Sequence, residues 1–135
     1  MNNNTNKHLV FVYGTLREGH GNNRLIPQDV TGEDATTDDD FVMTAYSGFP
    51  AVYLPQHEDE GTIITGEVYE VDDATLERLD NLEGHPDWYK REQVDVTIRH
   101  RRVTAWIYIM QGERQGPVIK SGDYNSWTRT SFANS

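Results

Sequence analysis

The sequence predicts a single α+β domain in which many short strands and one helix form a curled sheet or a small barrel. The chain has 135 residues, a length typical of one domain. Several runs of β-branched and aromatic residues are typical of strands, and only one stretch has the spacing of an amphipathic helix. Many strands with one helix between them indicate the α+β class.

The first strand is the clearest of the predicted elements. A nearly continuous apolar run extends from His8 to Tyr13 and ends at Gly14. Because apolar residues occupy successive rather than alternate positions, we expect this strand to be central and buried on both faces. Shorter patterns predict the remaining strands at residues 41–46, 51–54 and 63–71, and a hairpin with arms 93–99 and 102–110 around His100-Arg101.

The helix is predicted over residues 72–83. Asp72 or Asp73 can cap its first turn, and Gly84 follows it as a residue that ends helices. We expect one apolar face on this helix, which would carry Leu76, Leu79 and Leu82.

The segments between these elements are predicted to be irregular. Residues 18–23 have a loop composition, with Asn22 or Asn23 available to cap a short helical turn over residues 24–26. The acidic stretch 33–40 has no assigned role, and its Asp38-Asp39-Asp40 run is interpreted as a solvated loop. The domain is expected to cover residues 8–125, with flexible tails at 1–7 and 126–135.

Composition and charge narrow the classes of function. Twelve Lys and Arg against 22 Asp and Glu give a formal net charge of −10, which disfavours nucleic acids and anionic membranes as partners. The chain lacks cysteine, so no disulfide forms. The five histidines show no metal-ligand spacing, so we expect neither a metal nor another cofactor. With no signal-like or membrane-spanning apolar run, the predicted location is cytoplasmic.

Two features are candidates for a functional site. The turn Tyr13-Gly14-Thr15-Leu16-Arg17 follows the buried strand, where successive backbone N–H groups can form a concave donor site for a carboxylate or an oxyanion. Glu83 lies at the end of the helix, where the helix dipole and burial against Leu79, Leu82 and Trp88 would raise its pKa. A strand-end turn and a solvated helix-end Glu are the purely structural alternatives.

Five segments, taken in order, resemble the gamma-glutamylcyclotransferase-like family, and particularly its gamma-glutamylamine cyclotransferase branch. They span nearly the whole chain, about residues 8–125. These segments are residues 10–17 (VFVYGTLR), 49–52 (FPAV), 66–69 (GEVY), 79–91 (LDNLEGHPDWYKR) and 121–124 (SGDY).

The resemblance implies a small mixed β-barrel with flanking helices and a cavity at one end. It also implies that Glu83 is the catalytic general acid/base. The substrate would be a gamma-glutamyl amide or amine conjugate, cyclised to 5-oxoproline with release of the amine. The substrate-binding residues would be Tyr13, Gly14, Thr15, Leu16 and Tyr89.

A non-catalytic protein that retains a metabolite or a signalling nucleotide in the same cavity is the alternative, and Glu83 favours the enzyme over it. The sequence identifies neither the leaving amine nor the oligomeric state.

Several neighbouring residues have less specific predicted roles. Arg17 is interpreted as a solvated loop cation rather than a substrate ligand, and Trp88 and Trp106 as core residues. His85 is expected to be structural beside Pro86. For Asp123 we favour a turn residue over an anchor for the cavity.

Overall fold

The computed structural model describes residues 7–27, 30–46, 49–57 and 60–127. Most of the predicted tail residues lie outside these ranges, although Lys7 opens the first strand and residues 124–127 form a helical turn. The elements are β1 (Lys7–Val12), a 3₁₀ helix (Gly21–Leu25), β2 (Glu33–Thr37), β3 (Val42–Tyr46), β4 (Phe49–Tyr53), β5 (Thr65–Asp72), α1 (Asp73–Glu83), β6 (Tyr89–Ile98) and β7 (Arg101–Met110).

Five strands form a closed barrel in the order β1-β5-β2-β6-β7. Four of the neighbouring pairs are antiparallel, whereas β1 and β7 run parallel and close the barrel at the pair Val10–Trp106. Strands β3 and β4 form a separate antiparallel pair. The predicted α+β fold, a small mixed barrel with helices beside it, is confirmed.

Strand β1 is buried on both faces, as its apolar run predicts. Phe11 belongs to the cluster of barrel residues that includes Val68 and Ile107. Val10 and Val12 point the other way, into a second cluster with residues of α1. A strand with a core on each side has no solvent face, which explains the lack of polar residues at alternate positions.

Helix α1 begins and ends where its sequence predicts. The Asp72 side chain accepts a hydrogen bond from the Thr75 N–H at 2.8 Å, and Gly84 follows the helix in the left-handed region at φ 64°. Leu76 and Leu79 are buried, but Leu82 is 37% exposed. The apolar face of the helix is therefore buried at Leu76 and Leu79 and partly open to water at Leu82. Neither this helix nor any other in the described part of the chain has the length and apolar character of a membrane-spanning segment.

The acidic stretch 33–40 contains a barrel strand that the sequence analysis missed. Strand β2 pairs with β5 on one side and β6 on the other. Its inward residues Ala35 and Thr37 are buried, and the outward residues are polar. Two small inward side chains give too weak an apolar alternation to be read as a strand.

The long hairpin differs from its prediction at both ends. Strand β6 begins at Tyr89 rather than at residue 93, and the turn consists of Arg99 and His100 rather than His100 and Arg101. Arg99 adopts φ 57°, a conformation that the sequence does not reveal because arginine rarely adopts it.

Candidate active site

A cavity of about 260 Å³ lies where the turn after β1, the start of β4, the end of α1 and the start of β6 meet. Its volume is just below the range of roughly 300–1,000 Å³ that is common for drug-sized ligands, so it suits a small metabolite. The residues predicted from the sequence all line it: Tyr13, Gly14, Thr15, Leu16, Glu83 and Tyr89.

The turn after β1 has its carbonyl groups occupied by the protein. The Arg17 N–H donates to the Gly14 carbonyl at 2.9 Å, and the Asn22 N–H donates to the Thr15 carbonyl at 3.1 Å. The Asn23 side-chain amide donates to the Leu16 carbonyl at 2.8 Å.

The amides of the same three residues are used differently. In the turn and loop hydrogen bonds of the described residues, none of these N–H groups is a donor. The turn therefore presents donors rather than acceptors, as an anion site requires.

Gly14 is required at this turn because β4 approaches it closely. A Cβ atom at Gly14 would lie 2.4 Å from Cγ and 2.8 Å from Cδ of Pro50, far inside contact distance for a rigid ring. Pro50 lines the same cavity. The close contact thus fixes the turn against the opposite wall of the site.

Arg17 is not the solvated cation that the sequence analysis expected. Its side chain is buried and donates to Glu67 Oε2 at 3.2 Å and to Asp123 Oδ1 at 2.9 Å. Glu67 also accepts from the Glu18 N–H at 2.9 Å. The sequence could not reveal this burial, because the two carboxylate partners of Arg17 are 50 and 106 residues away along the chain.

The cluster formed by Arg17, Glu67 and Asp123 lies outside the cavity lining. It fastens the backbone at residues 17 and 18 to strand β5 and to the C-terminal helical turn. Asp123 also accepts from the Asn125 N–H at 3.1 Å, so it is a turn residue, as favoured from the sequence, and its hydrogen bond with Arg17 also holds the turn after β1.

Glu83 is a partly buried carboxyl group in the cavity wall. Burial raises its pKa to about 7, and the upward shift predicted from the sequence is confirmed. Among the described residues, none donates a hydrogen bond to its carboxylate and none forms an ion pair with it. Such a group can exchange a proton near neutral pH with a molecule in the cavity.

Three tyrosines line the cavity together with Glu83, and each donates its hydroxyl proton to a protein acceptor. Tyr13 donates to the Tyr108 carbonyl at 2.7 Å, and Tyr89 donates to the Pro50 carbonyl at 3.1 Å. Tyr108 donates to Asp80 Oδ1 at 2.8 Å. Burial raises the pKa of Tyr13 and of Tyr108 above the usual range, so both phenols stay protonated.

Sequence reasoning placed Leu82 and Trp88 against Glu83, but it assigned neither of them, nor Tyr108, to the wall of a cavity. Trp88, which was expected in the core, is 45% exposed. It lines the cavity together with Leu82 and Tyr108. Tyr108 could have been identified, because it lies on the face of β7 opposite the one that points into the barrel. Trp106, also expected in the core, is partly buried against the second cluster.

His85 does not line the cavity. Its Nδ1 accepts from the Arg91 N–H at 3.2 Å, and a cis peptide bond joins it to Pro86. Arg91 in turn pairs with Asp80 through two hydrogen bonds of 2.7 and 3.0 Å. Together these contacts tie the end of α1 to the start of β6.

No set of three or more potential metal ligands occurs among the described residues. The polar groups of the described lining are the Glu83 carboxyl group, the backbone N–H groups of the turn after β1, the phenols of Tyr13, Tyr89 and Tyr108, the Thr15 hydroxyl, the Asn22 amide and the Trp88 indole N–H. A carboxyl group whose pKa is about 7, in one cavity with N–H groups that donate in no turn or loop bond of the described residues, suits proton transfer to a ligand that also carries negative charge.

Comparison with protein families identifies the class. The family model of gamma-glutamyl cyclotransferase, AIG2-like proteins matches residues 10–126. A Methanocaldococcus jannaschii protein named "putative gamma-glutamylcyclotransferase" is 37% identical over 123 residues, covering 87% of this chain and 96% of its own. The gamma-glutamylaminecyclotransferase of Bos taurus is 34% identical over 97 residues, covering 66% of this chain and 56% of its own.

Solved structures agree on the fold. The crystal structure of YkqA from Bacillus subtilis superposes with a TM-score of 0.76 at 30% identity, covering 95% of this chain and 43% of YkqA. An AIG2-like protein from Mus musculus gives a TM-score of 0.73 at 23% identity, covering 84% of this chain and 86% of its own. The chain belongs to the gamma-glutamyl cyclotransferase, AIG2-like family.

Proposed function

We propose that this protein cyclises gamma-glutamyl amides, forming 5-oxoproline and releasing the free amine, with Glu83 as general acid/base. The observation that carries the proposal is the placement of Glu83, whose pKa is about 7, in one cavity with the turn after β1, whose amides donate in no turn or loop bond of the described chain. Family membership and the names of the relatives give independent support.

The reaction begins with the substrate's own nucleophile. The alpha-amine of a gamma-glutamyl group is protonated in water and therefore inert. Ionised Glu83 removes one proton from this ammonium, and the freed amine attacks the gamma-carbonyl carbon. A new C–N bond closes a five-membered ring, and holding the chain in the ring-closing conformer supplies much of the rate gain.

The second half of the reaction returns the proton. Attack places negative charge on the former carbonyl oxygen, and the intermediate collapses as the bond to the leaving amine breaks. Glu83 gives its proton to that amine and, ionised again, accepts the second proton, which the ring nitrogen loses as it becomes the lactam N–H. This proton passes to the released amine, which leaves as an ammonium ion, and no water molecule is consumed. The amides of Gly14, Thr15 and Leu16 stabilise either this oxyanion or the alpha-carboxylate. The reaction thus needs no metal or organic cofactor.

The test is turnover by Glu83→Gln. The amide has the shape of the carboxyl group but cannot accept the proton, so kcat for 5-oxoproline release should fall by about a hundredfold or more. Glu77→Gln, on the exposed side of the same helix, is the matched control and should keep the wild-type rate.

Wild-type turnover in a folded Glu83→Gln variant would refute the assigned role. Tight binding of gamma-glutamyl amides by the wild-type protein without any product would support the alternative, a protein that only retains its ligand.

A further inference from the structure

The cavity has an exposed apolar side that the reaction itself does not use. Leu82 and Trp88 both line the cavity, yet they are 37% and 45% exposed. The Phe49 ring meets the Trp88 ring edge-on at a centroid distance of 5.9 Å. Covering apolar side chains that are otherwise in water is favourable in proportion to the area covered, so this side is suited to an apolar group.

Trp88 is held by its backbone and by contacts of its ring. The backbone N–H of Trp88 donates to the Gly84 carbonyl at 2.9 Å, and its indole packs between the Phe49 ring at 5.9 Å and the Tyr89 ring at 5.8 Å. Because its position is fixed before a ligand binds, Trp88 offers contact area with little ordering cost.

The charges around the cavity disfavour an ionic group on the same side. Among the described lining residues there is no lysine or arginine, and Glu83 is the one acid. The neighbouring cations are engaged elsewhere, since Arg17 pairs with Glu67 and Asp123. A carboxylate placed against Leu82 and Trp88 would therefore give up part of its hydration without a cationic partner in the described lining.

A second ammonium on the leaving group would be no better placed. Its available partner in the described lining is Glu83, which the proposed reaction already assigns to the alpha-ammonium. An ammonium group without a partner keeps its favourable hydration only if it stays in water, where it gains nothing from contact with Leu82 and Trp88.

We infer that the leaving amine is apolar and carries no charged group besides the nitrogen that is released. We infer also that Trp88 and Leu82 select this amine. The inference rests on the proposed function, because the turn after β1 and Glu83 then hold the glutamyl half. The leaving half extends toward the exposed lining residues. Trp88 and Leu82 are specificity-determining residues in this reading, since they contact the half of the substrate that is not transformed into the ring.

The experiment compares four substrates by the rate of 5-oxoproline release. They are the gamma-glutamyl conjugates of benzylamine, methylamine, glycine and 1,4-diaminobutane, which present an aromatic, a minimal, an anionic and a cationic leaving group. We expect kcat/KM for the benzylamide to exceed those for the two charged conjugates by about tenfold or more.

Variants then assign the preference to its residues. Trp88→Ala and Leu82→Ala should each lower the ratio of kcat/KM for the benzylamide to that for the methylamide, Trp88→Ala by about tenfold. Leu54→Ala is the matched control, because Leu54 is 57% exposed and does not line the cavity; it should leave the ratio unchanged.

The outcomes separate the inference from the function on which it rests. If none of the four conjugates yields 5-oxoproline, the proposed function is wrong. If the charged conjugates react as fast as the benzylamide, cyclisation stands and the apolar leaving group is refuted. If Trp88→Ala lowers the rates for benzylamide and methylamide equally, Trp88 supports the site but does not select the amine.

Discussion

Glu83 combines a chemical advantage with a cost in stability. Its carboxyl group is removed from water without a hydrogen-bond donor or cation among the described residues. Burial of this kind penalises the charged form, which brings the pKa close to neutral pH. At that pH the carboxyl group can both accept and donate a proton during the reaction. The same penalty must appear in the free energy of unfolding, because the unfolded chain solvates the carboxylate fully.

The first prediction concerns that cost. The pKa of Glu83 is about 7 in the folded protein against 4.5 ordinarily, so between these values the folded protein binds a proton that the unfolded chain has released. The contribution of Glu83 to stability therefore falls as pH rises through this window. Glu83→Gln should be more stable than wild type at pH 8, by up to about 3 kcal/mol.

Urea unfolding at pH 4 and pH 8 measures this difference. The two proteins should converge at the lower pH, where the Glu83 carboxyl group is mostly protonated in both states. Glu77→Gln controls for the loss of one carboxylate from the helix. Equal stability of Glu83→Gln and wild type at pH 8 would show that Glu83 is not strained by burial.

At the scale of the element, the end of α1 determines where the carboxyl group lies. Gly84 leaves the helix at φ 64°, and a Cβ atom there would lie 3.1 Å from Cβ of Trp88. The His85 N–H donates to the Asp80 carbonyl at 2.9 Å, which closes the helix end. Glu83 is therefore positioned by the residue that follows it as much as by the helix that carries it.

The second prediction compares the two ends of this helix. Gly84→Ala should cost about 1 kcal/mol of stability because alanine resists the left-handed conformation, and it should lower kcat/KM because Glu83 shifts. Asp72→Ala removes the cap from Thr75 and should also cost about 1 kcal/mol. Because Asp72 is at the far end of α1, its loss should leave activity unchanged.

Both variants are compared by urea unfolding and by kcat/KM at a temperature where each is folded. A parallel loss of activity in both would mean that helix stability in general, rather than the geometry at Gly84, supports the site.

The elements also show which sequence signals were sufficient. Strand β1 and helix α1 carry dense apolar patterns and explicit end signals, so their predicted positions were confirmed. Strand β2 was missed because its buried residues are an alanine and a threonine. Its stability as a strand comes from its neighbours β5 and β6, which no local pattern can indicate.

For the whole molecule, the cavity depends on contacts between distant parts of the chain. Motif resemblance placed Gly14, Glu83 and Tyr89 in one site, and the structure has them in one cavity. It assigned no cavity role to Tyr108 or Trp88. The alternation in β7 marks Tyr108 only as facing away from the barrel, and the place of Trp88 in the wall depends on its packing against Phe49. Arg17 was misjudged for the same reason, because both of its carboxylate partners are remote.

The central claim is that the substrate's alpha-amine, and not water, attacks the gamma-carbonyl. Intramolecular attack yields 5-oxoproline, whereas hydrolysis by water yields free glutamate. A glutaryl amide lacks only the alpha-amine, so it can occupy the cavity but has no nucleophile with which to close the ring.

The decisive measurement is product analysis by mass spectrometry on a matched pair, the gamma-glutamyl and glutaryl conjugates of benzylamine. The gamma-glutamyl compound should give 5-oxoproline and benzylamine in equal amounts without glutamate. The glutaryl compound should release no benzylamine and should inhibit the reaction competitively. Glutamate in place of 5-oxoproline, or rapid release of benzylamine from the glutaryl compound, would contradict the account even if Glu83 proved essential.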